Sequence, residues 1–197
     1  MAAPRRTHVV LLRGVNVLGR NRLAMSVLRE LVESLGHADV VTYIQSGNVA
    51  FAAARPDAGN QAISDGLEEV IAERTGVKPA VIVVRAAELA RVVRDNPFPE
   101  VADPRLLHAV FLREPPDQAG LAAVAAGVER ARAKGSRDEA RVVGRVLYLS
   151  TPDGFAPSVL RRELDRGGAN RTPMRDGSAR NWATVTTLTT LVRPFVG

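Results

Sequence analysis

Residues 7–13 read Thr-His-Val-Val-Leu-Leu-Arg, and Gly14 ends the run. Such a stretch predicts a strand. Val9–Leu12 are apolar at four consecutive positions, so both alternating faces of that strand are hydrophobic and both must be covered. A layer of helices supplies one cover. The other has to come from a second half of the same chain or from another subunit. At 197 residues the chain is long enough to provide that second half itself.

The pattern downstream repeats. Met25, Leu28, Leu31, Val32 and Leu35 recur at helical spacing and stop at Gly36, a natural helix end. Val40–Ile44 and Val49–Ala53 are short strands joined by a tight turn at Gln45-Ser-Gly-Asn48, where Gly and Asn tolerate positive φ. Ile63, Leu67, Val70 and Ile71 mark a second amphipathic helix ending near Gly76, and Ala80–Val84 is another strand. A short helix covers 86–95. Asn96–Pro104 holds three prolines in nine residues and reads as a linker. Then come a strand at 106–112, an alanine-rich helix at 117–131, a hairpin of 139–143 and 146–150 around Gly144-Arg145, and a helix at 157–165. A final helix over 181–192 sets Trp182, Val185, Leu188 and Leu191 or Val192 on one face. The expected fold is α+β: two ferredoxin-like α/β plait halves, βαββαβ and then βαββα without a closing strand, plus the C-terminal helix. The expected domains are 1–95 and 105–197, joined by the 96–104 linker.

Composition removes several function classes. The chain has no cysteine, which excludes disulfides, thiolate metal sites and a Cys nucleophile. No His pair stands at ligand spacing, and there is no P-loop and no GxGxxG after a strand, so neither metal nor cofactor is expected. No apolar run approaches membrane-helix length, and the start lacks the apolar region of a secretory signal, so the expected location is the cytoplasm. Aromatic residues make up only 4%, and the strands that would carry base-stacking rings in an RNA-recognition plait have almost none.

The charge is uneven. The net formal charge is +6, with +4 in residues 1–55, −2 in 56–155 and +4 in 156–197. Only Lys78 and Lys134 are lysines; the other 25 basic residues are arginines, which favour bidentate contacts to phosphate. Basic chain ends that met in space would attract anions.

Three stretches carry candidate chemistry: Leu12-Arg-Gly-Val-Asn-Val-Leu-Gly-Arg20, Tyr43-Ile-Gln-Ser-Gly-Asn-Val49 and Ala179-Arg-Asn-Trp-Ala-Thr-Val185. With these motifs the chain resembles the bacterial family known as domain of unknown function 1697. Its pattern has a Leu-Leu-Arg-Gly-x-Asn-Val-Gly-Gly segment, a Thr-Tyr-Ile-Gln-Ser-Gly-Asn-Val segment and a Thr-x-Arg-Asn-Trp-x-Thr-Val segment. The matches fall at Leu11–Val17 with Gly19, at Thr42–Val49, at Asn96-Pro-Phe98 and at Arg180–Val185. Leu18 replaces the first of two glycines, and Ser178 and Ala179 stand where threonines are usual. The resemblance implies a duplicated α/β plait and brings no established activity.

In a split βαβ plait the loop after the first strand and the hairpin between the second and third lie at one end of the sheet. That geometry gathers Arg13, Gly14, Asn16, Gly19 and Arg20 beside Gln45, Ser46 and Asn48 as a candidate ligand site, with Arg180, Asn181, Trp182 and Thr184 of the third motif as further candidates. Glycines that expose backbone N–H groups, supplemented by arginines, suit anionic oxygen. Each residue also has a structural reading. Gly47-Asn48 serves a turn, Asn181 with Thr184 caps a helix, Trp182 at helical spacing packs in a core, and Arg161, Arg162 and Arg166 form a solvated face. Three functions are therefore open. The first is a binding module for an anionic, phosphate-bearing small molecule or nucleic acid. The second is an enzyme on a small anionic substrate, with Ser46 or Asn48 positioning the reacting atom. The third is a structural or homo-oligomeric interaction protein. The enzyme reading lacks a general base: His8, His37 and His108 are the only histidines, and none lies in a serine-hydrolase signature.

Overall fold

The computed structural model describes residues 6–16, 21–55, 57–166 and 173–192, with only the backbone of Arg175. The chain divides into two compact units, residues 1–91 with 187–197, and residues 92–186.

The first unit holds β1 (His8–Arg13), α1 (Met25–Ser34), β2 (Ala38–Tyr43), β3 (Asn48–Ala52), α2 (Asn60–Thr75) and β4 (Ala80–Arg85). Its strands form one antiparallel sheet in the order β2-β3-β1-β4. The helical spacing read in the sequence is the packing face. Leu28, Leu31 and Val32 of α1 join Ile63, Leu67 and Ile71 of α2 over Val10, Leu12, Val49, Phe51, Val81 and Val83 of the sheet. Each such side chain contributes about 2 kcal/mol by leaving water. On the opposite face Val9, Leu11, Ala50, Ile82 and Val84 are equally inaccessible to solvent. Both faces of the doubly apolar run of β1 are thus closed to solvent.

Helix α3 (Ala86–Arg94) follows β4 directly. The second unit then holds β5 (Leu107–Phe111), α4 (Gln118–Arg132), β6 (Glu139–Val143), β7 (Val146–Ser150), α5 (Val159–Asp165), a single turn α6 (Pro173–Asp176) and β8 (Ser178–Asn181), followed by α7 (Trp182–Leu191). Its sheet is also antiparallel, in the order β6-β7-β5-β8. Val124 and Ala131 of α4 and Leu160 and Leu164 of α5 pack on Val110, Leu147 and Leu149. Both helices start on side-chain caps: Asp117 Oδ1 accepts from Gly120 N at 2.7 Å, and Ser158 Oγ accepts from Arg161 N at 2.9 Å. The segment read as a linker is partly embedded in this unit, with Phe98 buried beneath the Arg141 guanidinium.

One expectation is corrected. The second half does close with a strand: β8 pairs with β5 from Phe111↔Ser178 to His108↔Asn181. Its sequence, Ser-Ala-Arg-Asn, has no β-branched residue and one small apolar side chain, so nothing in it signals a strand. Backbone pairing to the fully buried β5 creates it. Among the described residues no helix is long and apolar enough to cross a membrane.

Candidate functional site

Strand β1 runs antiparallel to both neighbours, so its C-terminal end meets the start of β3. Leu12 N donates to Gly47 O at 2.8 Å, and Arg13 lies opposite Ala80. The loop after β1 and the β2–β3 hairpin therefore share one end of the sheet, as the sequence implied. Asn16 ties them together. Its Nδ2 donates to Gln45 O and to Leu23 O, and its Oδ1 accepts from Leu23 N, all at 2.9 Å. Asn16 sits at φ +54°, a region that asparagine tolerates better than most residues. Asn21 adds a bond from its Nδ2 to Gly14 O at 2.8 Å. With three bonds lost, Asn16→Ala should cost about 2 kcal/mol in urea unfolding. A change within about 0.5 kcal/mol, typical of neutral surface positions, would show that the loop holds without it.

The hairpin is built differently from the expected Gly-Asn turn. Positive φ occurs at Ile44 (+48°) and Gly47 (+72°), whereas Asn48 lies in β3 with its side chain fully buried. Asn48 Nδ2 donates to Tyr43 O at 3.0 Å and to Ser46 Oγ at 2.8 Å, closing the turn from inside. The constraint pushes Ile44, a β-branched residue, into the left-handed region with half its surface in solvent. No sequence rule would have found that.

The amides of Asn16 and Asn48 thus face the scaffold. On the outside of the same platform stand Arg13, Gln45 and Arg22, all exposed, and half-buried Ser46. Arg22 was missed in the sequence because it lies beyond the motif. Neither Arg13 nor Arg22 is ion-paired with a described residue. Gly19 and Arg20, named as candidates, lie outside the described residues. His8 and His37 are at the other end of this sheet: His8 begins β1 and pairs with Phe51 and Arg85. Six residues of strand put it about 15 Å or more from Arg13 and the hairpin.

The third motif lies wholly in the second unit. Arg180 is 8% exposed, and its Nη1 donates to Ser178 Oγ and to Ala179 O, both at 2.8 Å. Burial lowers its pKa to about 10, which leaves it charged at neutral pH. Asn181 Oδ1 accepts from Thr184 N at 2.9 Å and so caps α7. Trp182 is half-buried, its ring 6.2 Å from that of Tyr148. Further along α7, Thr187 belongs to the first unit, where its hydroxyl is 3.5 Å from that of Tyr43.

The profile of a family described as "Protein of unknown function (DUF1697)" matches residues 5–148, a range that includes the first two motifs and stops short of the third. No curated protein is significantly similar to the chain. Among solved structures, a conserved bacterial protein from Streptococcus pneumoniae is similar with a TM-score of 0.73 at 19% sequence identity, over 95% of this chain and 99% of that one. At that identity the likeness is one of fold.

Proposed function

The chain belongs to the DUF1697 family of proteins of unknown function, and we propose that it binds a phosphate-bearing or otherwise anionic ligand at the Arg13 end of its first sheet. The observation that carries this reading is the platform itself. Asn16 and Asn48 lock a loop and a hairpin into one surface, and what that surface turns outward is basic or amide-bearing, with no carboxylate among the described residues paired to Arg13 or Arg22. Arg13, Arg22, Gln45 and Ser46 are the contacts we assign to the ligand, with Gly14, Gly19 and Arg20. Asn16 and Asn48 position them. Arg180, Asn181, Trp182 and Thr184 we assign to holding the β8–α7 junction. Arginine guanidinium groups beside a fixed backbone platform match phosphate oxygens through bidentate, charge-assisted hydrogen bonds.

The same strand order in both sheets supports reading each unit as a ferredoxin-like plait, the pair as a duplication, and 96–104 as the join between them. The ligand is either a small anionic molecule or a nucleic acid. The enzymatic alternative is weaker, because Ser46 Oγ accepts from Asn48 and two of the three histidines stand at the far end of the sheet.

The test is a titration with inorganic phosphate, pyrophosphate, mononucleotides and short DNA and RNA at low and high salt, followed by calorimetry and thermal stabilisation. A phosphate ligand should bind more weakly as salt rises, steeply so for nucleic acid. Arg13→Ala with Arg20→Ala should weaken it about tenfold or more, the equivalent of one charge-assisted bond. Unchanged binding of every ligand by that double variant would overturn the assignment.

A further inference from the structure

Glu163 of α5 is 4% exposed, and three cations converge on it. Lys134 Nζ donates to Oε1 at 2.5 Å, Arg166 Nη1 to the same oxygen at 3.2 Å, and Arg130 Nε to Oε2 at 3.1 Å. Arg130 Nη2 also reaches the Glu163 main-chain oxygen at 3.3 Å. We propose that this triangle of Arg130, Lys134 and Arg166 is a second anion site, within the second unit, that takes a phosphate group.

The charge count carries the inference. One carboxylate neutralises one of the three cations. The neighbouring acids are engaged elsewhere, Glu129 with Arg132 at 2.8 Å and Asp165 with Arg161 at 3.2 Å. The C-terminal ends of α4 and of α5, which Arg166 caps, each add roughly half a negative charge. About one positive charge is left over, gathered on one buried carboxylate. Lys134 on Oε1 and Arg130 on Oε2 already satisfy both oxygens of Glu163; Arg166 is a second donor on Oε1, and the Arg130, Lys134 and Arg166 side chains are 47%, 50% and 67% exposed. Their remaining donors are unused among the described residues: Nη1 of Arg130, two ammonium hydrogens of Lys134, and Nε and Nη2 of Arg166. The buried carboxylate therefore acts as a hub that orients three outward-facing donors, and a tetrahedral dianion with several free oxygens matches that arrangement better than a flat carboxylate.

The probes are inorganic phosphate, pyrophosphate and a short DNA duplex, added to the full chain while the Nε–Hε resonances of Arg130 and Arg166 are followed by NMR. The expected result is a saturable shift of both resonances. Binding should weaken about tenfold or more in the Lys134→Ala, Arg166→Ala variant, in which Arg130 still neutralises Glu163. The thermal midpoint of that variant should stay close to that of the parent. Arg13→Ala should leave these shifts intact, which separates this site from the one at the end of the first sheet. Shifts with phosphate or pyrophosphate would identify a free phosphate compound as the source. Shifts with DNA alone would identify the nucleic-acid backbone. The proposal is overturned if no probe moves either resonance at millimolar concentration, or if the double variant binds every probe as tightly as the parent.

Discussion

Gly47→Ala should destabilise the chain by about 4 kcal/mol, combining the left-handed backbone penalty with the overpacking of a dense core. Gly47 has φ +72°, and an added Cβ would stand 2.6 Å from Leu12 Cβ and 2.8 Å from Val15 Cγ2. Neither contact can be relieved cheaply. Leu12 Cβ is fixed by a strand buried on both faces, and Val15 opens the loop that carries Asn16. Gly14→Ala is the internal control: its φ is +75°, but an added Cβ meets nothing within 4 Å. That variant should lose only about 1 kcal/mol, from the backbone penalty alone. Urea unfolding of both variants separates the two terms. Equal losses would mean that the hairpin moves aside and that the close approach to β1 is soft. If the larger loss is seen, Gly47 is in the motif because the hairpin must lie against β1, and that contact fixes the platform on which Arg13 and Gln45 stand.

Such packing explains which parts of the molecule were legible. Helix α1 could be read from Leu28, Leu31 and Val32 because one periodic face meets one core, and Gly36 closes the helix at φ +82° as its position suggested. That Asn16 and Gln45 share a sheet end followed from chain direction alone. Strand β8 was not legible, since its pairing to β5 is imposed by the neighbour and not by Ser178–Asn181 themselves. Nor was the direction in which the asparagines face. The same amide can hold a ligand, cap a helix or close a turn, and only the surrounding carbonyls decide; here Tyr43, Leu23 and Gln45 supply them. Arg180 makes the same point for charge. In sequence it is one of seven arginines in a basic tail, yet in the fold it is buried under its own strand.

Acidification should have an effect of similar size, through two histidines that read as ordinary strand residues. His8 and His108 are 2% and 8% exposed, and each has one ring nitrogen without a hydrogen-bond partner among the described residues: Nε2 of His8 and Nδ1 of His108. His8 lies against Phe51, and His108 stacks on Phe155 at 3.9 Å. Burial lowers both pKa values from 6.5 to about 4, with Arg85 and His37 reinforcing the shift at His8. The folded rings therefore stay neutral where unfolded ones would protonate. The stability they contribute is complete above pH 6.5 and is lost as pH falls from 6.5 toward 4. Each histidine accounts for about 3 kcal/mol over that range, a large share of the 5–15 kcal/mol typical of a native domain. Asp103 and Glu163, whose partners Arg105 and Lys134 lower their pKa values, add to the loss as pH falls through their ordinary values of 3.8 and 4.5. The upper part of the range therefore reports on the histidines, with His37, whose pKa burial also lowers, leaving a residual slope when His8 and His108 are replaced. Denaturant midpoints measured from pH 6.5 downward should fall steadily, and the slope should flatten in a His8→Leu, His108→Leu variant whatever its absolute stability. NMR titration of the two rings in the parent gives a second reading that does not depend on that variant folding well. Stability that stays level from pH 6.5 to 5, or imidazoles that titrate near 6.5, would show that both rings reach solvent and that β1 and β5 begin outside the core.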